Sequence, residues 1–352
     1  MARFNGQKRM STSNLERLRQ GLVGVLTALA LAGCGEKAPP SAPGSAPALT
    51  KITVQTDWYA QPEHGGFYQA LVKGYYREVG LDVTISQGGP NAIPRQKVAL
   101  GTVEFGVGRT DELIVAAGQG VPLVAVGAMM QHDPQAVMFH RQSGIRSLKD
   151  LDGRTIMAEP GAVWLKIVDK KIGLKLSLVP LDFGLSRFLA DKNFIQQCFI
   201  TNEPFYVRQQ GAEVGTLLLS DAGIAPYRIW YTSRSFMTKN PEAVRAFAAA
   251  SIRGWREYVD GDRKEADTMI RALNPKMTPE FIAYGVGAMR EFKLVHGDAA
   301  KGEQVGQIDP VRLADEIAQL TSIGVLGRPV RLAEVFDETF LPEEVRAGAT
   351  RK

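Results

Sequence analysis

The sequence predicts an α/β protein of two lobes, each a mostly parallel sheet flanked by helices, behind an N-terminal export segment. Three observations carry this. Short β-rich runs alternate with amphipathic helical patterns from Lys51 to Thr232, as βα units require. The alternation falls into two series, with breaks near Met130–Pro134 and Gly223–Tyr227 where the chain can cross between lobes. The chain has 352 residues, room for two cores once the N-terminal segment is set aside.

The first element is not part of the fold. Arg3, Lys8, Arg9, Arg17 and Arg19 stand against one acid, Glu16, and precede an apolar run from Gly21 to Gly33. That run is too short to span ~30 Å of hydrocarbon. It has the layout of a bacterial secretion signal over residues 1–33. Leu31-Ala32-Gly33-Cys34 resembles a lipobox, which makes Cys34 the expected lipidation site and the first residue of the mature chain. Two or three acyl chains anchor stably where one does not. Residues 34–50, with Pro39, Pro40, Pro43 and Pro47 among Ala, Ser and Gly, read as an extended tether. The protein is therefore expected outside the cytoplasmic membrane, on the periplasmic or cell-surface side, held to a membrane at Cys34.

The first α/β series follows. Strands are predicted over Lys51–Asp57, Leu81–Ser86, Phe105–Val107 and Leu123–Gly127. Helices are predicted over Gly66–Val79, Asn91–Leu100 and Asp111–Gln119, the last closed by Gly120. The second series has strands at Ala136–His140, Arg154–Ala158, Leu176–Pro180 and Phe194–Phe199, with a further extended run at Gly215–Ser220. Its helices are Ala162–Lys171, Leu185–Ala190 and Glu203–Gln210. One more strand, Arg228–Thr232, precedes long amphipathic helices at Pro241–Val259, Glu265–Leu273, Pro279–Phe292 and Pro310–Ile323, several opened by Pro. This layout places residues 51–131 and 227–352 in lobe 1 and residues 132–226 in lobe 2.

Charge and composition narrow the function. The formal net charge is +5, but the signal segment supplies most of it, so the folded part is nearly neutral. No basic surface of the kind nucleic-acid binding needs is expected. With Cys34 committed to lipid, Cys198 stands alone within an apolar strand and reads as a small core residue. His64, His132, His140 and His296 are scattered, so no metal site and no cofactor are expected. No nucleophile elbow, phosphate loop or zinc-protease motif occurs, and no catalytic residue is assigned.

Particular residues point to binding. In an open α/β sheet, ligands sit beyond the carboxyl ends of the strands. Asp57, Trp58 and Tyr59 follow the first strand at such an edge. The Trp-Tyr pair offers an aromatic face to a flat ring, or packs at the rim. His64 is a hydrogen-bonding candidate or a helix-start residue bonded to backbone. Thr110 and Asp111 follow the third strand, Thr110 either as a helix N-cap or as a ligand contact. Gly161 permits close backbone approach, and Trp164 on the helix after it can close over a ligand.

The blocks Gly74-Tyr75-Tyr76-Arg77-Glu78-Val79-Gly80-Leu81-Asp82-Val83, Asp57-Trp58 with His64-Gly65-Gly66-Phe67-Tyr68, Phe105-Gly106-Val107-Gly108-Arg109-Thr110-Asp111 and Ser147-Leu148-Lys149-Asp150-Leu151-Asp152-Gly153 resemble substrate-binding proteins of ABC importers. The nearest group is similar to binding proteins for thiamine-pyrimidine precursors, with nitrate, taurine and alkanesulfonate binders more distant. The resemblance covers roughly residues 50–260. It implies a type II periplasmic binding protein with a hinged ligand cleft, acting as a monomer that captures a small molecule and delivers it to a permease and its ATPase. It also implies that Asn202 and Glu203 belong to the site, Glu203 pairing with an amino-pyrimidine edge; otherwise Glu203 favours a helix N-terminus. This chain departs from the pyrimidine binders after Asp57-Trp58. Where those carry a Pro-Asn pair, it has Tyr59-Ala60-Gln61-Pro62-Glu63. A sulfonate- or nitrate-type ligand, or service as the sensing partner of a membrane receptor, stays open alongside. Some eukaryotic relatives make the thiamine pyrimidine with a Cys-rich motif, and nothing like it occurs here.

Overall fold

A computed structural model describes residues 48–90 and 92–347. The signal segment, Cys34 and the tether up to Pro47 lie outside the described residues. The strands are β1 (Thr50–Gln55), β2 (Leu81–Ser86), β3 (Phe105–Arg109), β4 (Leu123–Met130), β5 (Gln135–His140), β6 (Thr155–Ala158), β7 (Ser177–Pro180), β8 (Ile195–Phe199), β9 (Val214–Leu218) and β10 (Arg228–Ser233). They form two five-stranded sheets, β2-β1-β3-β10-β4 and β7-β6-β8-β5-β9.

The two sheets repeat one plan. In the first, β1 runs parallel to β2 and β3, whereas β10 is antiparallel to both β3 and β4. In the second, β6 runs parallel to β7 and β8, whereas β5 is antiparallel to β8 and β9. Four strands of each sheet thus point one way and one is reversed. The reversed strand is the one the chain enters directly from the other lobe. The sheets are connected by residues 131–134 and by the stretch from Leu219 to Tyr227.

The helices are α1 (Gly65–Val72), α2 (Tyr75–Glu78), α3 (Pro94–Ala99), α4 (Thr110–Gly118), α5 (Val163–Ile172), α6 (Ser186–Ala190), α7 (Glu203–Gln209), α8 (Arg234–Lys239), α9 (Pro241–Asp260), α10 (Lys264–Leu273), α11 (Pro279–Glu291), α12 (Pro310–Ser322) and α13 (Leu332–Val335). The predicted helix Gly66–Val79 is two helices, because Gly74 sits at φ 76 and turns the chain between them. The helix predicted from Asn91 begins at Pro94, whose ring cannot donate an amide and so fits the first turn.

The C-terminal helices pack on the first sheet. Gly254 of α9 lies so close to α1 that an added Cβ would meet the Gly66 carbonyl oxygen at 2.3 Å, and one on Gly66 would meet the Trp255 ring at 2.2 Å. Around this contact Phe67, Phe105, Phe247 and Trp230 build an aromatic core, with Phe105 and Phe247 stacked at 4.0 Å. Phe336 and Gly306 add bridges to β4 at Ala125 and Ala128.

Candidate functional site

Between the sheets lies a cleft of about 560 Å³. It opens where the carboxyl ends of β1 and β3 face those of β6, β7 and β8, with the first residues of reversed β5 and β10 between them. Asp57, Glu63, Arg109 and Arg228 line it from the side of the first sheet, and Glu159, Gln197, Asn202 and Glu203 from the side of the second.

Its floor is a paired charge cluster. Asp57 Oδ2 accepts from Arg228 Nη2 at 2.5 Å, and Asp57 Oδ1 lies 2.9 Å from His64 Nε2. His64 is fully buried, with Nδ1 3.3 Å from the Tyr59 carbonyl oxygen. Burial alone would raise the Asp57 pKa, but Arg228 and His64 outweigh it and hold the carboxyl well below the usual range. Arg109 is saturated as well. Its Nε and Nη2 each reach an Asp111 oxygen at 3.1 Å, Glu112 lies at 3.4 Å, and Nη1 donates to Gln135.

Lobe 2 contributes amide and carboxyl groups. Gln197 Oε1 accepts from Trp164 Nε1 at 3.0 Å and from the Glu159 amide at 3.2 Å. Glu203 Oε2 accepts from the Phe199 amide at 2.8 Å. Burial pushes the Glu203 carboxyl up to about 7 against that hydrogen bond, with Glu63 adding to the rise. At the mouth, Trp58, which follows β1 of the first sheet, meets Phe183, which follows β7 of the second, ring centroids 5.0 Å apart and tilted by 39°. Phe183 holds this position at φ 60, a left-handed backbone that a bulky residue rarely adopts. Beneath Tyr231, Gly106 and Gly108 of β3 leave room for its ring, which a Cβ on Gly106 would meet at 2.8 Å.

Residues 61–263, more than half of the chain, match the protein family described as "NMT1/THI5 like". The chain belongs to the NMT1/THI5-like family. The riboflavin-binding protein RibY of Chloroflexus aurantiacus is 22% identical over 346 residues, covering 93% of this chain and 98% of RibY. The formylaminopyrimidine-binding protein of Halalkalibacterium halodurans is 24% identical over 234 residues, 63% of this chain and 71% of that one. A Saccharomyces cerevisiae protein named 4-amino-5-hydroxymethyl-2-methylpyrimidine phosphate synthase THI11 is 24% identical over 243 residues, 60% of this chain and 71% of its own. Among solved structures, the periplasmic aliphatic sulphonate binding protein SsuA from Escherichia coli superposes with a TM-score of 0.60 at 13% identity, covering 82% of this chain and 92% of that one. The fold is therefore that of the type II periplasmic binding proteins.

In this NMT1/THI5-like chain the predicted site residues divide. Asp57, Trp58, Asn202 and Glu203 line the cleft together. Tyr59 does not; it is half-exposed and meets Trp58 edge-on at 5.5 Å. His64 stands behind Asp57. Thr110 is buried away from the cleft and is not an N-cap: it is the first residue of α4, and Arg109 holds the N-cap position without a side-chain cap. The Thr110 hydroxyl instead donates to Glu316 at 2.7 Å and accepts from the Tyr227 amide at 3.0 Å. Asp111 is consumed by Arg109. Gly161 is exposed at φ 81, outside the cleft lining. Trp164 is a core residue, 3% exposed, whose indole holds Gln197.

Sequence reasoning missed Arg228, Glu63, Gln197 and Phe183. Arg228 had a signal, a lone cation opening an otherwise apolar strand. Glu63 had one too, standing in the segment that departs from the pyrimidine binders. Gln197 had only its place in an apolar strand, and Phe183 had none, because a left-handed phenylalanine leaves no mark in sequence.

Proposed function

We propose that this protein is the exported solute-binding component of an ABC importer, and that its cleft captures a planar nitrogen heterocycle. The observation that carries the reading is the cleft itself, a site of about 560 Å³ between facing strand ends, with an aromatic mouth and a hydrogen-bonding floor. Trp58 stacks on the ring, Asn202 and Glu203 read its edge, and Asp57 holds Arg228 in place. The relatives named for riboflavin and for formylaminopyrimidine support the heterocycle class, since both ligands are flat and nitrogen-rich. Size favours a flavin over a single pyrimidine ring, because ligand pockets bury most of their ligand.

Charge argues against a nitrate or sulfonate. Both guanidinium groups of the floor already face carboxylates, while Glu63, Glu112, Glu159 and Glu203 outnumber Arg95, the remaining guanidinium of the lining. An anion would enter against them. Closure turns on the crossovers at 131–134 and 223–227, which divide lobe 1 (51–131 and 227–352) from lobe 2 (132–226). The chain acts as a monomer without enzymatic activity, delivers ligand to a permease and its ATPase, and is tethered at Cys34 by residues 34–50.

A thermal-shift screen tests the ligand class. A ligand at a hundredfold excess over Kd adds ~2.7 kcal/mol to the native state. Riboflavin or 4-amino-5-hydroxymethyl-2-methylpyrimidine is expected to raise the melting temperature; a response to nitrate or alkanesulfonates alone would overturn the reading. Native mass spectrometry of protein from its own host identifies the retained ligand. For the anchor, Cys34→Ser is expected to release the protein from membranes with binding intact, and membrane retention of that variant in high salt would exclude lipidation there.

A further inference from the structure

Three polar atoms that line the cleft or stand at its wall are buried and unpartnered: Glu63 Oε2, Arg228 Nε and Tyr231 Oη. The three residues are 3%, 6% and 1% exposed. A buried polar atom without a partner is costly, so three on residues of one cleft point to the place where a ligand's polar edge belongs. The other carboxyl oxygen of Glu63 is already engaged. Glu63 Oε1 accepts from the Thr201 hydroxyl, which comes from the turn between β8 and α7 in the opposite lobe. Beside it, Asn202 Nδ2 donates across the same seam to Gln61 Oε1 at 3.2 Å.

One carboxyl therefore stands at a junction of three things: lobe 1, through the short helical turn Pro62–His64; lobe 2, through Thr201; and the cleft, which Glu63 lines with its second oxygen buried and unpartnered. The turn is itself held in place. Asn274 donates to the Ala60 carbonyl at 2.9 Å, and Gly285 of α11 passes so close to Pro62 that a Cβ there would meet its ring at 3.3 Å. A carboxyl held this way cannot swing aside to suit a ligand. It has to be matched.

Resting on the heterocycle reading above, we infer that Glu63 is a specificity-determining residue that couples ligand reading to lobe closure. Oε2 accepts an N–H of the ligand's ring edge, while Arg228 Nε and Tyr231 Oη donate to acceptors on the same ligand, and Oε1 latches the lobes through Thr201. The ligand class is a ring whose edge sets an N–H donor next to a carbonyl or ring-nitrogen acceptor. Thr201 and Asn202, adjacent to Glu203, then serve the seam as much as the ligand.

Glu63→Gln separates the two duties. The amide can keep its oxygen toward Thr201, but it turns an N–H toward the ligand where an acceptor stood. Two pairs of probes read this: riboflavin against its N3-methylated form, and 4-amino-5-hydroxymethyl-2-methylpyrimidine against the analogue lacking the amino group. Calorimetric titration is run on wild type, Glu63→Gln and Thr201→Val, each first shown folded by circular dichroism. Wild type is expected to prefer the N–H member of whichever pair it binds. Glu63→Gln is expected to weaken that member about 10- to 150-fold and leave the other nearly unchanged. Thr201→Val is expected to keep the preference but lose ligand-induced compaction in small-angle scattering. If Glu63→Gln discriminates the probes as wild type does, or weakens both members equally, this inference fails while the heterocycle reading stands. If wild type binds none of the four probes, the heterocycle reading fails and the inference falls with it.

Discussion

The Arg228–Asp57 pair makes the sharpest stability prediction. Arg228 is nearly buried, its side chain 7% exposed, while that of Asp57 is 29% exposed, and their closest atoms are 2.5 Å apart. Charge centres about 4 Å apart interact by ~4 kcal/mol at an effective dielectric of ~20. The partial exposure of Asp57 admits water, so the expected coupling is about 2–3 kcal/mol. Arg228→Met alone leaves Asp57 facing only His64 and is expected to cost about 3–5 kcal/mol, as breaking a buried pair does. Asp57→Asn alone strands the guanidinium and is expected to cost a similar amount. The double variant, with neither charge, is expected to be more stable than the sum of the two losses implies. Urea unfolding of all four proteins at pH 7 and two salt concentrations gives the cycle. Coupling below ~0.5 kcal/mol, or coupling abolished by salt, would mean that the pair behaves as a solvated surface contact and not as the partly buried pair that forms the floor of the cleft.

Other consequences are as direct. Glu316 is buried, its carboxyl pushed up to about 8 by burial with the Asp111 charge adding to the rise, and among the described residues Thr110 alone donates to it. Its folded pKa lies above the unfolded ~4.3, so its contribution is complete below that value and lost as pH rises toward and through 8. Glu316→Gln should therefore flatten the decline in stability between pH 5 and 9 measured by urea midpoints, and parallel curves for the two proteins would exclude the residue as the cause. Trp164→Phe should cost ~1 kcal/mol by removing the hydrogen bond to Gln197 yet move ligand affinity little, whereas Trp58→Ala should weaken binding tenfold or more at nearly unchanged stability; calorimetry beside thermal melts checks both. Gly66→Ala should destabilise by about 1–3 kcal/mol or more through its collision with Trp255, while Gly161→Ala, in open space, should cost only the ~1–2 kcal/mol of its left-handed backbone.

The strands and most helices were legible because βα periodicity is a local property: each apolar run declares itself within its own few residues. The sheet order was not, since nothing in Arg228–Ser233 states that it slides between β3 and β4 in reverse. The site was half legible for the same reason. Asp57 and Trp58 could be found from their position after an apolar strand, and Asn202 and Glu203 from the family resemblance. Thr110, Asp111 and Trp164 occupy equivalent positions and serve the interior, and what separates the two groups is which way a side chain turns. Thr110 turns to Glu316, 206 positions away. Glu63 stands in the segment that departs from the pyrimidine binders, but nothing there announces its partner Thr201, 138 positions away.

The plan of the first sheet bears on the order in which the chain can be made. β3 and β4 do not pair with each other; β10 lies between them, and Arg109 pairs with Arg228 from the far side of the whole second lobe. As the chain emerges from the ribosome, its N-terminal lobe cannot complete its sheet until the second lobe has been synthesised. Long-range pairings of this kind are slow to form, because loop closure must precede them. The strand order itself thus holds the first sheet open until the second has been made.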